Sequence, residues 1–247
     1  MAVMVPGAMA DLVLLHGFTQ TGRSWQPIAH ALAGRYRAAA PDLPGHGAFA
    51  ERRPASFPAC DAYLRAVSEE PHVLCGYSMG GRVALHAAFS LGARVRRLVL
   101  LGASPGLADP AERAARAASD AALADRIAAI GLEAFAAEWE SQPLFAGMPR
   151  GVAELAGEDR RRNTATGLAA ALRGLGTGVM PSLWDRLPDL DVAVELVVGE
   201  RDEKFRGIAE KMAYALPRAT VTVVAGAGHA VHLEAPDAVV EVLNPGH

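Results

Sequence analysis

The chain reads as an α/β protein, with a mostly parallel sheet flanked by helices and interrupted by one helical cap insertion. Three observations predict this. Short apolar runs of strand length alternate with segments of helical spacing, the pattern of parallel strands joined by right-handed crossovers. That rhythm lapses over about residues 107–185, where no convincing strand occurs. And one apolar run, His72-Val73-Leu74-Cys75-Gly76-Tyr77, turns at Ser78 into Arg82-Val83-Ala84-Leu85-His86-Ala87-Ala88, which reads as helix.

The elements follow in order. Leu12-Val13-Leu14-Leu15 is a continuous apolar run ending in His16-Gly17-Phe18-Thr19-Gln20, as expected of a strand buried on both faces and followed by a functional loop. Residues 25–32 have helical spacing, and 36–40 read as a second strand closed by Pro41-Asp42-Leu43-Pro44-Gly45-His46-Gly47, a loop dense in turn residues. A helix over 57–67 leads to the strand 73–76, and after the elbow helix comes the strand 95–101, ending in Gly102-Ala103-Ser104-Pro105-Gly106. The insertion holds alanine-rich helical stretches, 109–126 and 132–139, broken at Pro143, Pro149 and Pro181. Alternation resumes with the strand 192–198, a helix over 205–216, the strand 220–224 and a last helix from 236 to about 243. The expected organisation is one core built from residues 1–106 and 186–247, carrying a helical cap over 107–185.

Composition bounds the function. A chain of 247 residues, 51% hydrophobic and 21% charged, suits one sizeable buried core. The net charge of -3 argues against nucleic acid as a partner, which calls for a basic face. Cys60 and Cys75 lack metal-ligand spacing and read as two buried free thiols, and no metal or cofactor is implied. Residues 1–10 are apolar but short and lack a basic leading region, so they do not read as a signal peptide. No stretch reaches the roughly 18 apolar residues of a membrane span, and the expected compartment is the cytoplasm. Oligomeric state is left open between monomer and homo-oligomer.

Chemistry centres on Gly76-Tyr77-Ser78-Met79-Gly80, a G-x-S-x-G nucleophile elbow. Chance supplies such a pattern in roughly one chain in ten or twenty of this length. The strand before it and the helix after it lift it above chance. A serine hydroxyl needs an imidazole to take its proton, and the imidazole needs a carboxylate to fix its tautomer. Asp202 follows the strand 192–198 in Gly199-Glu200-Arg201-Asp202, and His229 follows the strand 220–224 in Ala225-Gly226-Ala227-Gly228-His229. Taken alone, Asp202 could be a helix cap and His229 a turn residue. Together with Ser78, in this order and on these loops, they make a triad, with Glu200 and Glu203 as competing carboxylates. The backbone N–H groups of Met79 and Phe18 are the candidate oxyanion donors. Such donors stabilise negative charge on oxygen whatever reaction produces it, so they do not single out hydrolysis.

The motifs Leu15-His16-Gly17-Phe18-Thr19, Asp42-Leu43-Pro44-Gly45-His46-Gly47, Gly76 to Arg82 and Gly226-Ala227-Gly228-His229 resemble the α/β-hydrolase superfamily, which implies the α/β-hydrolase fold. Narrower stretches resemble the 2-succinyl-6-hydroxy-2,4-cyclohexadiene-1-carboxylate synthases of menaquinone biosynthesis. These are Ser104-Pro105-Gly106-Leu107, the helix with Arg113, Arg116 and Ser119-Asp120, Trp139-Glu140-Ser141-Gln142-Pro143-Leu144-Phe145, and Gly199 to Arg206. One departure is a leading antiparallel hairpin that is shortened or partly missing. The resemblance implies a lyase that expels pyruvate from 2-succinyl-5-enolpyruvyl-6-hydroxy-3-cyclohexene-1-carboxylate, with Ser78 as general base rather than nucleophile. The alternative is a carboxylester or other acyl hydrolase using the same triad as nucleophile.

A small-molecule polycarboxylate calls for guanidinium forks in a partly closed site. Arg82 lies four residues after Ser78 on one helix and hence on the same face. Arg116 matches the family's cap arginine. A third is expected from Arg160-Arg161-Arg162, with Arg162 chosen in an ambiguous register. Any one arginine in so arginine-rich a chain could instead be a solvated surface side chain. Trp139 and Tyr77 are expected to line the pocket.

Overall fold

The computed structural model describes residues 11–244. The expectations about a signal peptide and a leading hairpin fall largely on residues 1–10, outside the described residues. Six strands, β1 (Leu12–Leu15), β2 (Ala38–Ala39), β3 (His72–Tyr77), β4 (Val95–Leu101), β5 (Ala193–Gly199) and β6 (Ala219–Val224), form one sheet in the order β2-β1-β3-β4-β5-β6. Every neighbouring pair is parallel, so among the described residues the sheet is wholly rather than mostly parallel. The second strand shrinks from the expected 36–40 to the pair Ala38–Ala39.

The apolar runs divide between the faces with period two. Val13, Leu15, Leu74, Leu98 and Leu100 pack on one side with Leu64, Val83 and Met212, from α2 (Phe57–Val67), α3 (Met79–Leu91) and α7 (Glu203–Ala215). Leu12, Leu14, Val73, Val99 and Leu101 pack on the other with Ile28, Val231 and Val239, from α1 (Gln26–Ala31), α8 (Val231–Glu234) and α9 (Pro236–Leu243). Burial on both faces is why these strands are continuously apolar. Both cysteines are free and buried.

Between β4 and β5 lie α4 (Pro110–Glu140), α5 (Arg150–Arg160) and α6 (Ala165–Leu175). The two expected stretches of helix join as α4 across a kink at Gly131, whose φ of 79° and ψ of 173° depart from helical values. Ala124, Ile127 and Phe135 of α4 close on Leu168 and Leu172 of α6 in a small core of their own, against which Phe18 and Trp139 rest. α5 escapes sequence reading because the face it buries is made of Ala156, Gly157, Asp159 and Arg160, while its largest apolar residue, Leu155, is exposed.

The strand order places β1 between β2 and β3, so the winding direction reverses between β1 and β3. Their carboxyl ends, paired as Leu15 with Gly76, meet at a topological switch point, where sheets of this class bind ligands.

Candidate active site

Ser78 stands between β3 and α3 with φ 50° and ψ -108°, outside the regions an L-residue prefers. Its neighbours explain how the turn is made. A Cβ on Gly76 would lie 2.4 Å from the Gly80 carbonyl oxygen, and one on Gly80 would lie 2.3 Å from that of Leu15. Glycine at both positions lets β1, the elbow and the first turn of α3 meet backbone to backbone. The Ser78 N–H donates to the Leu101 carbonyl at 2.8 Å, which fixes the turn against β4.

The half-buried Ser78 Oγ lies 3.2 Å from His229 Nε2, and His229 Nδ1 lies 2.6 Å from Asp202 Oδ2. The hydroxyl can donate to Nε2 while Nδ1–H donates to the carboxylate. Asp202 also accepts the Phe205 N–H at 3.3 Å and so caps α7, combining the two readings open to it from sequence. Of the rival carboxylates, Glu200 turns away to accept the Gly226 N–H at 2.9 Å. The His229 ring sits against Phe205, 4.6 Å between ring centroids, and over Gly102, where a Cβ would come within 2.9 Å of its Cε1.

A cavity of about 700 Å³ opens over Ser78. Phe18, Met79 and His229 line it, and the backbone N–H groups of Phe18 and Met79 donate to no protein acceptor among the described residues. Arg82, Arg116 and Trp139 line it too. Arg82 Nη1 donates to the Leu175 carbonyl at 2.6 Å. Burial, reinforced by the Arg116 charge and opposed by Asp120, lowers Arg82 to about 10, which keeps it cationic at neutral pH. Arg116 Nε donates to Asp120 Oδ1 at 2.7 Å, and Asp120 is itself held by the Gly178 N–H. Lys204 and Lys211, the only lysines in the chain, also face this cavity and were not singled out in the sequence. Their spacing of seven on one helix is the signal that was there to read.

The register of the arginine run needs correction. Arg162 is 45% exposed at its side chain, lies 3.8 Å from Asp159 and lines neither cavity. Arg160 is the buried member. Its Nη1 donates to Glu140 at 2.7 Å, its Nε reaches Thr19 Oγ1 at 3.4 Å, and it lines a second cavity of about 540 Å³. The cause is local: α5 ends at Arg160, whose side chain leaves the last helical turn toward the loop after β1, while Arg162 lies past that turn. Asp159 and Asn163 grip the same loop, accepting the Thr21 N–H and donating to the Thr19 carbonyl, both at 2.8 Å. Tyr77 lines this second cavity rather than the one above Ser78, its ring tilted against His232 with ring centroids 4.2 Å apart. Phe18 lines both cavities and meets Trp139 edge-on at 5.3 Å.

A parallel sheet with an elbow serine at its switch point, hydrogen-bonded to a histidine that is in turn hydrogen-bonded to an aspartate, both on later loops, defines a class. The chain matches the Alpha/beta hydrolase family over residues 12–242 and belongs to it. Within that class it is 39% identical to the putative 2-succinyl-6-hydroxy-2,4-cyclohexadiene-1-carboxylate synthase of Bacillus subtilis, over 94% of this chain and 88% of that one. It is 34% identical to the synthase of the same name from Klebsiella pneumoniae, over 94% and 91%. The solved structure of MenH from S. aureus superposes with a TM-score of 0.87 at 32% identity, covering 96% of this chain and 93% of that one. Among the described residues no helix is long and apolar enough to cross a membrane.

Proposed function

We propose that the chain is a carbon-oxygen lyase that eliminates pyruvate from 2-succinyl-5-enolpyruvyl-6-hydroxy-3-cyclohexene-1-carboxylate, giving 2-succinyl-6-hydroxy-2,4-cyclohexadiene-1-carboxylate. His229, oriented by Asp202, takes the Ser78 proton, and the serine oxygen removes a proton from the ring. The electron pair moves onto the succinyl ketone, whose oxygen receives the N–H groups of Phe18 and Met79. Collapse of that enolate breaks the ring C–O bond, and the enolpyruvate leaving group takes a proton to become pyruvate. No water enters and no metal is needed.

The observation that carries this reading is that Arg82 and Arg116 share one cavity with Ser78, His229 and Met79. Two guanidinium groups beside the reacting serine suit a polycarboxylate and are superfluous for a neutral ester. Arg160, across Phe18, is the third cation in place of Arg162, and Tyr77 and Trp139 shape the walls. In this scheme residues 107–185 act as the cap on a core of 1–106 and 186–247. The enzyme works in the cytoplasm, in keeping with its two free thiols. Purified protein supplied with the enolpyruvyl substrate releases pyruvate catalytically, and Ser78→Ala loses about a thousand-fold or more. Pyruvate release no faster than in buffer, together with rapid cleavage of short activated esters through an acyl-serine, overturns the lyase assignment.

A further inference from the structure

The loop that carries His229 is held by two side chains that the proposed chemistry leaves unused. Glu234, on the short helix α8 just after that loop, has a side chain only 4% exposed. Its Oε2 accepts the Gly228 N–H at 2.9 Å and its Oε1 accepts the Ala230 N–H at 3.2 Å, so one carboxylate grips the residues on both sides of His229. Arg201, next to Asp202 in sequence, donates from Nη2 to Glu234 Oε2 at 2.6 Å and from Nε to the Gly226 carbonyl at 3.0 Å. The backbone completes the clasp, the Arg201 N–H reaching the Ala227 carbonyl at 3.0 Å. The two loops lie so close that a Cβ on Gly199 would fall 2.1 Å from the Gly228 carbonyl oxygen.

We propose that Glu234, locked by Arg201, is a positioning residue for the base: it fixes the backbone on either side of His229 so that the imidazole spans Ser78 and Asp202. Asp202 sets the ring tautomer but reaches only one edge of the ring. What holds the Cα from which the ring hangs is the pair of N–H groups accepted by Glu234. Because Arg201 and Asp202 are adjacent residues, the same ion pair keeps the acid and the base at a constant separation. Without the carboxylate, two N–H groups lose their acceptor and the base drifts with its loop, whereas the cavity that receives substrate is lined by other residues.

The inference rests on Ser78, His229 and Asp202 acting as a triad, and its test is independent of the natural substrate. A neutral fluorophosphonate labels an activated serine: the Oγ–P bond forms, the P–F bond breaks, fluoride leaves, and the serine proton passes to His229. In Glu234→Ala the maximal labelling rate falls about ten- to a hundred-fold, the scale of a misplacement near 1 Å, with half-saturating reagent concentration held within about two-fold. Glu234→Gln, which keeps one acceptor oxygen, gives an intermediate rate. Arg201→Ala, at a side chain 37% exposed, lowers the same parameter in the same direction. Ser78→Ala sets the zero. Labelling of Glu234→Ala within about two-fold of wild type, or losses that vanish once scaled to the folded fraction measured by circular dichroism, overturns the proposal. Wild-type protein that labels rapidly yet releases no pyruvate counts against the lyase assignment alone.

Discussion

Arg82→Ala separates carboxylate binding from the rest of catalysis. Among the described residues the side chain's hydrogen bond goes to the Leu175 carbonyl at 2.6 Å. Losing a bond of that kind costs about 1 kcal/mol, which lowers the melting midpoint by about 2–4 °C in a chain of this size. The effect on catalysis is far larger for a charged substrate. Arg82 stays cationic at neutral pH, since burial brings it down only to about 10. A carboxylate bound opposite it would be left buried and unpaired by the truncation, at about 3–5 kcal/mol, or roughly two to three and a half powers of ten in kcat/KM. The assay compares pyruvate release from the tricarboxylate with labelling of Ser78 by a neutral fluorophosphonate. Pyruvate release falls by the larger factor while labelling stays within about three-fold, and Arg82→Lys, keeping the charge but not the fork, recovers part of the loss. Equal losses in the two assays would refute a carboxylate-binding role.

Three further outcomes are expected. Arg160→Ala raises KM or lowers kcat/KM about ten-fold or more in steady-state pyruvate release, whereas Arg162→Ala stays within about two-fold; the reverse order contradicts the orientation of the run. Gly80→Ala forces a Cβ to within 2.3 Å of the Leu15 carbonyl oxygen, against backbone that cannot yield cheaply. It lowers stability in urea by about 2 kcal/mol or more, and an unchanged midpoint refutes that contact. Burial holds His16, His46, His72 and His232 below the ordinary histidine value, His232 at about 3. These groups take up protons less readily in the folded chain than in the unfolded one, where they protonate below about pH 6.5, so the unfolded state binds more protons and stability falls as pH drops below that value. Urea midpoints at a series of pH values from 7.5 to 4.5 measure that slope, and a flat profile removes the argument.

The sheet was legible because burial on both faces imposes continuous apolar runs, which leave a strong trace in residues 12–15, 73–76 and 98–101. Ser78, Asp202 and His229 could be picked out from their order and from the strands they follow, and His229 lies within hydrogen-bonding reach of both of the others. What stayed hidden depends on contacts between segments far apart in the chain. Arg160 and Arg162 differ in lying on and past the last turn of α5, but a run of three arginines does not mark where that helix stops, and the partners of Arg160, Thr19 141 residues earlier and Glu140, are remote in sequence. Tyr77 is next to Ser78 in sequence yet faces a different cavity, because as the last residue of β3 it packs on the sheet face covered by α8, while Ser78 is carried off the strand by the elbow. Glu234 carries no local signature of its role, which lies in the Gly228 and Ala230 N–H groups that donate to it.

The grip of residues 159–163 on the loop after β1 joins cap to core. Asp159 takes the N–H and hydroxyl of Thr21, and Asn163 ties the Thr19 carbonyl to the Gly47 N–H. Lifting this edge breaks all four bonds, at about 1 kcal/mol each a thousand-fold penalty on the raised state. The large cavity is also lined by Asp109 and Glu112 at the start of α4 and by Lys204 and Lys211 of α7, with Asp109 accepting the Ala111 and Glu112 N–H groups as the cap of α4. Those four bonds make the wall beside the oxyanion donors a fixed joint between cap and core, so the position of Phe18 is set by residues more than a hundred places away in the chain.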